Sequence, residues 1–386
     1  MGIRSCVAAH FLANVWRGGE WDIHLLEGYR HEFLPVLKDS ERLGPWKPLN
    51  HGIRRILRKQ RFDALSVYGY STLTNLQAIV AAHAMRIPIL LRAESGADNM
   101  KALDSLVNLQ RHFAGHPLTC DSPLRAWLRF LKWQIRSRFQ NEILFDWVGG
   151  QTLAIQHGMT GATGNIYVGL HEFLDMMMPL HFLRRGDLFL DIGANVGTYT
   201  VLASGVCGAE TFAFEPDPST CSHLMRNIEV NRLEDRVQVY DCALGARRGE
   251  VAFTVGLDTE NRIATGIDGR TRTVPIEKLD EIVSNSQPIM MKVDVEGAEL
   301  DVLSGAERVL ANPSLRVIEL ETVAPRSARI LARNGFETGC YDAFNRTLRR
   351  QSSACKSSNA LFVRDWPFVA DRLRTGGQIE VLGRKI

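Results

Sequence analysis

The 386-residue chain contains no run of eighteen apolar residues, which excludes a membrane span of the kind hydropathy encodes. Its start, Met1 to His10, lacks the long apolar core of a secretory signal, so no leader of that type is expected. The seven cysteines are scattered, odd in number and form no C-x-x-C pair. That spacing argues against a zinc site and for reduced thiols in a cytoplasmic setting. A net charge of only +3 leaves no electrostatic footprint for nucleic acid. None of the eleven histidines follows His223, so a histidine base must come from the earlier part of the chain. Internal repeats and low-complexity tracts are absent too. What remains, 45% hydrophobic and 23% charged, is an ordinary globular composition long enough for two cores.

One stretch organises the rest: Asp187-Leu-Phe-Leu-Asp191-Ile-Gly193-Ala194-Asn195-Val-Gly197, followed by Glu215. Leu188 to Asp191 reads as a buried parallel strand and Val196 to Val206 as the helix after it. The glycines let backbone approach a ligand. Strand Thr211 to Glu215 ends on a carboxylate placed to accept from both hydroxyls of a ribose. The spacing is Gly-x-x-x-Gly, and Asp191 precedes the first glycine. A carboxylate there suits a cationic sulfonium cofactor and repels a dinucleotide pyrophosphate. These residues resemble the class I methyltransferases.

Further strands are expected at Val237–Asp241, Ile289–Asp294 and Leu315–Glu321, with Phe336–Tyr341 and Ala360–Val363 as a closing antiparallel pair. Helices Pro218–Asn231, Ala298–Leu310 and Arg326–Asn334 separate most of them. Such alternation predicts an α/β fold: a doubly wound, Rossmann-like sheet of seven strands. Upstream, Thr152–Gln156 and Asn165–Val168 read as short strands leading into a helix from Glu172 to Leu183. The segment Pro123–Phe145 reads as a helix with aromatic and basic residues interleaved, expected to pack its aromatic face on the following domain. Near the start, Phe62–Gly69, Thr74–Met85 and Ile87–Ser95 read as strand, helix, strand, and Lys101–His112 as a further helix. With Trp21–Tyr29 and Pro88–Ser95 these resemble the acceptor half of GT-B glycosyltransferases. The second nucleotide-sugar domain of such enzymes is missing, so the resemblance implies a relic or docking module; Arg92, Glu94 and Ser95 would matter if it were active. The expected division is 1–118, partial glycosyltransferase-like; 119–148, helical linker; and 149–386, methyltransferase.

The most distinctive motif is Lys292-Val-Asp294-Val-Glu296-Gly297-Ala-Glu299 at the end of an apolar strand. With the Gly193–Gly197 turn, Glu215-Pro216-Asp217 and the segment Gly158–Glu172, it resembles the FkbM family of S-adenosylmethionine-dependent methyltransferases from about Gly149 to Asp365. The resemblance implies O-methylation of a carbohydrate-containing acceptor, such as a polysaccharide or glycolipid. Cofactor-binding candidates are Asp191, Gly193, Ala194, Asn195, Gly197, Glu215, Asp217, Asp241, Cys242 and Asp294. Catalytic candidates are Asp294 and Glu296, then His171, since a sugar hydroxyl calls for a general base. Glu172, Asn261 and Lys292 are candidate acceptor contacts, Asn261 lying in a polar loop from Asp258 to Gly269. Asp294, Glu296 and Glu321 could ligate magnesium, but no metal is expected. The competing readings are a dinucleotide-dependent oxidoreductase and a scaffold that docks glycan-assembly proteins through its N-terminal segment.

Overall fold

The sheet that the alternation calls for is present, with one strand more than expected. In a computed structural model of the chain, residues 108–386 are described except 256–260, 265–269, 284 and 351–356; before residue 108 only short segments between residues 6 and 92 are. The chain forms two compact units that divide between Gln110 and Arg111.

In the first unit Cys6–Ala9, Ala64–Tyr68 and Ile89–Arg92 form a parallel sheet with Ala64–Tyr68 in the centre. Both strands expected there are present. Part of the expected helix Thr74–Met85, and Glu94 and Ser95, lie outside the described residues, as do residues 101–107 of the next; residues 108–115 are helical.

The second unit is built on eight strands: β1 Leu188–Ile192, β2 Glu210–Phe214, β3 Val237–Tyr240, β4 Pro288–Val293, β5 Val317–Leu320, β6 Glu337–Asp342, β7 Thr347–Arg350 and β8 Ala360–Val363. Their order is β3-β2-β1-β4-β5-β8-β6-β7. The first five are parallel, and β8, β6 and β7 join by antiparallel pairing. The eighth strand, β7, arises because Asp342 accepts from the backbone N–H groups of Phe344 and Asn345, both at 3.1 Å. That short-range carboxylate turn folds the chain straight back along β6. Strand β1 is buried on both faces: Phe189 enters one apolar cluster, and Leu188, Leu190 and Ile192 enter another. The order in which strands are added reverses between the parallel neighbours β1 and β4, and there the carboxyl ends of the strands open a crevice.

Five helices are needed to place the site: α1 Pro123–Arg136, α2 Thr160–Val168, α3 Phe173–Phe182, α4 Thr198–Val201 and α5 Pro218–Val230. Helix α4 continues as a π-helical turn, Leu202–Val206. Asn165–Val168, expected as a strand, belongs to α2. A Cβ on Gly164 would lie 2.5 Å from His171 Nδ1, so this glycine permits close packing inside a helix rather than a turn. The expected helix Pro123–Phe145 stops at Arg136, and Ile143–Asp146 pairs antiparallel with Thr152–Ile155. The expected helix Ala298–Leu310 is two, Glu299–Ser304 and Glu307–Ala311. It breaks at Gly305, where a Cβ would meet the Gly245 carbonyl at 2.1 Å. Asp280 then accepts from Arg308 N and Val309 N, at 2.9 and 3.0 Å, and caps the second piece. Cys340 is disulfide-bonded, unlike the expected free thiols, whereas Cys120, Cys207, Cys221 and Cys242 are free. Even spacing along a sequence does not reveal which sulfurs a folded sheet brings together. No helix among the described residues is long and apolar enough to cross a membrane.

Candidate active site

The turn after β1 is held by neighbouring strand ends. Gly193 N and Ala194 N both donate to Phe214 O at the end of β2, at 3.0 and 2.9 Å. Gly193 has φ +79°, and a Cβ there would fall 1.8 Å from Asp294 O, so only glycine fits. Asn195 also adopts a left-handed conformation, φ 51°, its side-chain oxygen accepting from Val196 N at 2.7 Å. Glu215 follows β2: one carboxylate oxygen accepts from Asn195 N at 3.0 Å and the other from Asp217 N at 2.9 Å. The two backbone donors fix a carboxylate whose remaining lone pairs stay available. Burial pushes this carboxyl up to about 7 against those hydrogen bonds.

At the other end β4 delivers Lys292 and Asp294, and β5 runs into Glu321. Lys292 is almost fully buried, donates to Asp294 Oδ2 at 2.5 Å and stands 4.4 Å from the centre of the Tyr199 ring. Burial opposes its charge, but Asp294, Glu172 and Asp191 outweigh that and keep it protonated beyond the ordinary lysine range. For Asp294 burial alone would raise the carboxyl; Lys292 overrides it and holds the group ionised. Glu321 moves the other way, pushed up to about 8 by burial and by the neighbouring Asp294 charge. Carboxylate oxygens of Asp294, Glu296 and Glu321 all lie within 4.8 Å of one another. Tyr199 donates its hydroxyl to Glu172 Oε2 at 2.7 Å.

These two ends share one cavity of about 330 Å³, the size of a small-molecule site. On its wall stand Gly193, Ala194, Asn195, Glu215 and Cys242 from the cofactor candidates, and Lys292, Asp294, Glu296, Glu172 and His171 from the catalytic and acceptor candidates. Asn261 lines it as well, beside Phe253 and Ile263, whose bridge closes over Ala243 after β3. This places Asn261 by the Glu215 end; the rest of its loop, 256–260 and 265–269, lies outside the described residues. The Cys242 thiol, pushed up to about 12 by burial, can only pack.

Four candidates are elsewhere. Asp217 accepts from Thr220 N and Oγ1 as the cap of α5, which uses its carboxylate locally. Asp241 is exposed and off the cavity wall. Gly197 supports the turn from behind, where a Cβ would lie 2.5 Å from Leu224 Cδ1. Asp191 is buried, accepts from Thr200 Oγ1 at 2.6 Å and does not reach the wall. The charge argument first attached to Asp191 therefore passes to Glu172, Asp294, Glu296 and Glu321, which do line it. One residue was not anticipated, Tyr199, whose only signal was its place two residues after Gly197; Glu321 joins Asp294 and Glu296 at the acidic end, as their shared place at the strand ends implies.

A sulfonium nucleoside fits this arrangement. Glu215 offers ribose acceptors, a side-chain-free Gly193 lets the backbone approach, and wall carboxyl groups outnumber the one ammonium, which favours a cation. Pyrophosphate would meet those same carboxylates.

Residues 191–343 match the methyltransferase FkbM domain. The match is shorter than the Gly149–Asp365 resemblance, so His171 and Glu172 lie outside it. A hexuronic acid methyltransferase, AglP of Haloferax volcanii, is 29% identical over 140 residues, covering 36% of this chain and 57% of that protein. Methyltransferase 1 of Beauveria bassiana is 28% identical over 161 residues, 35% of this chain and 64% of the relative. The chain thus spans somewhat over half the length of these two relatives. Methyltransferase sdnD of Sordaria araneosa is 24% identical over 205 residues, 43% of this chain and 79% of that one. Among solved structures, M. jannaschii TYW2 in complex with AdoMet aligns at a TM-score of 0.31 and 13% identity, covering 58% of this chain and 87% of that one. Residues 191–343 are a methyltransferase FkbM domain, and the cofactor such a domain calls for is S-adenosylmethionine.

Proposed function

We propose that the protein transfers a methyl group from S-adenosylmethionine to a hydroxyl of a carbohydrate-containing acceptor. The observation that carries this reading is the single cavity joining the Glu215 end to the Lys292–Asp294–Glu296–Glu321 end. The bound cofactor supplies an electrophilic methyl carbon; the residues of the chain align it and manage the proton. Asn195 and Asp217 backbone donors hold Glu215 for the ribose. Lys292 ties down Asp294 as a fixed anion, which makes Asp294 a poor proton acceptor. Glu321 is the better general base: its carboxyl, raised to about 8, is within reach of both neighbours, and its Oε2 accepts no hydrogen bond. With the cofactor bound, methyl transfer to the acceptor oxygen would release the proton of that hydroxyl, and Glu321 in its ionised form would take it. Glu296 then takes part in positioning the hydroxyl, and His171 stands at the rim.

Two things bear on the acceptor, the first on its being a carbohydrate and the second on which of its groups is methylated. The similar protein from Haloferax volcanii is named a hexuronic acid methyltransferase. At the acceptor end carboxyl groups outnumber the one ammonium, so a neutral hydroxyl is better tolerated there than an acceptor carboxylate. Incubating the chain with methyl-labelled S-adenosylmethionine and a panel of neutral and uronic-acid oligosaccharides tests it. A methylated neutral hydroxyl, located by fragmentation mass spectrometry, is expected. Label found only as a methyl ester on the uronic acids would refute the choice of hydroxyl, and no label in any product would refute the carbohydrate reading.

A further inference from the structure

Helix α1 has two apolar sides, and among the described residues packing uses only one. Ala126 and Trp133 are buried, Trp133 in the cluster around Ile143, Leu153 and Ile166, while Trp127 and Phe130 contact Phe113 and Tyr167 edge-on. On the opposite side Leu124, Leu128, Leu131 and Ile135 follow the i, i+4, i+7, i+11 spacing of a single helical stripe. Each is at least half exposed, from 50% for Ile135 to 69% for Leu124, and Phe139 just beyond the helix is 85% exposed. Isolated apolar residues on a surface need no explanation, but a contiguous stripe three turns long does.

Charge says what the stripe faces. Between Pro123 and Gln140 the sequence holds Arg125, Arg129, Lys132, Arg136 and Arg138 and no acidic residue. Arg129 turns inward to Tyr167 O at 2.8 Å. The other four are exposed, and Arg125, Lys132 and Arg136 project along one flank of the stripe. Arginine alone would also suit a protein interface, but a leucine and phenylalanine stripe edged by arginine and lysine with no acid among them is the composition of a helix lying in a lipid headgroup layer. We propose that α1 seats the protein on an anionic bilayer, the stripe entering the acyl boundary and the cations meeting the headgroups. This inference does not depend on the identity of the methyl acceptor.

The test is co-sedimentation of the full chain with phosphatidylcholine vesicles with and without phosphatidylglycerol. Binding is expected only with phosphatidylglycerol and should fall steeply with salt. The double variant Leu128→Asp with Leu131→Asp should lose on the order of tenfold or more in partitioning. Lys132→Gln with Arg136→Gln should lose about fivefold per cation. Both should keep the wild-type melting temperature and S-adenosylmethionine affinity, because neither pair packs in the core or lines the cavity. Three results would overturn the proposal: no partitioning of the wild-type chain, equal partitioning of the variants, or a changed oligomeric state or lowered melting temperature in both variants. The last would mean that protein covers the stripe.

Discussion

Replacing Glu215 with glutamine separates the ribose role of this carboxylate from its structural cost. Glu215 is 6% exposed, and in the folded chain it titrates near 7 instead of near 4.5. The folded state therefore holds the proton more tightly than the unfolded state. Its contribution to stability is greatest below 4.5, falls as pH rises through 4.5 to 7, and is at its most unfavourable above 7. The shift corresponds to about 3 kcal/mol as an upper bound. Glutamine does not titrate, so the stability of Glu215→Gln relative to wild type should improve from pH 5 to pH 8 by up to that amount. The amide NH₂ would meet one of the two backbone donors, Asn195 N or Asp217 N, which offsets about 1–2 kcal/mol at every pH. Cofactor binding should respond in the opposite sense. Losing one charged acceptor for a ribose hydroxyl costs about 2 kcal/mol, or about a thirtyfold rise in Kd. Paired thermal melts and calorimetric titrations with S-adenosylmethionine at pH 5, 6.5 and 8 read both effects. A Kd within about twofold of wild type at pH 8 would refute the ribose role; a stability difference that does not change with pH would refute the raised titration of Glu215.

Three further substitutions probe the rest of the site. Gly193→Ala puts a Cβ 1.8 Å from Asp294 O at a left-handed backbone position, so it should cost about 2–4 kcal/mol in thermal melts and abolish detectable cofactor binding. Lys292→Met leaves Asp191 and Glu319 buried, and the partly exposed Asp294, without their shared cation and should destabilise by about 3–5 kcal/mol, read by urea denaturation. Glu321→Gln should slow methyl transfer by about 10²–10⁴-fold and remove the limb of the rate profile near pH 8, while cofactor Kd stays within about threefold of wild type. If Asp294→Asn instead removed that limb and Glu321→Gln did not, the proton assignment would be reversed.

Much of this fold could be read from the sequence because its strands are buried on both faces. Leu188–Asp191 and Ile289–Asp294 are nearly continuous apolar runs that end on acids, and both appear as central neighbours, β1 and β4, in parallel register. Turn glycines were legible where φ is positive, as at Gly193 and Gly197. They misled where glycine serves close packing: Gly164 sits inside α2 to admit His171, and Gly305 breaks a helix to admit Gly245 O. The acids after β2 and β3 look alike in sequence, yet Glu215 faces the cavity, Asp217 caps α5 and Asp241 is exposed. Residue type fixes the chemistry a side chain can do; Glu215 and Asp241 stand at matching places past neighbouring strands, and the turn around Glu215, with its donors Asn195 N and Asp217 N, is what sets it apart. Tyr199 depends on contacts between α4, α3 and β4, which no local pattern encodes, whereas the Lys292–Asp294 pair joins residues two apart at one strand end.

The central claim is that one cavity, nucleoside-binding at Glu215 and acidic at Asp294, holds a sulfonium nucleoside. Calorimetric titration of the full chain with S-adenosylmethionine, and separately with NAD⁺, tests it most directly. One equivalent of S-adenosylmethionine should bind, NAD⁺ should give no heat above dilution, and Gly193→Ala should abolish the S-adenosylmethionine signal. Silence with S-adenosylmethionine, or tighter binding of NAD⁺, would contradict the claim.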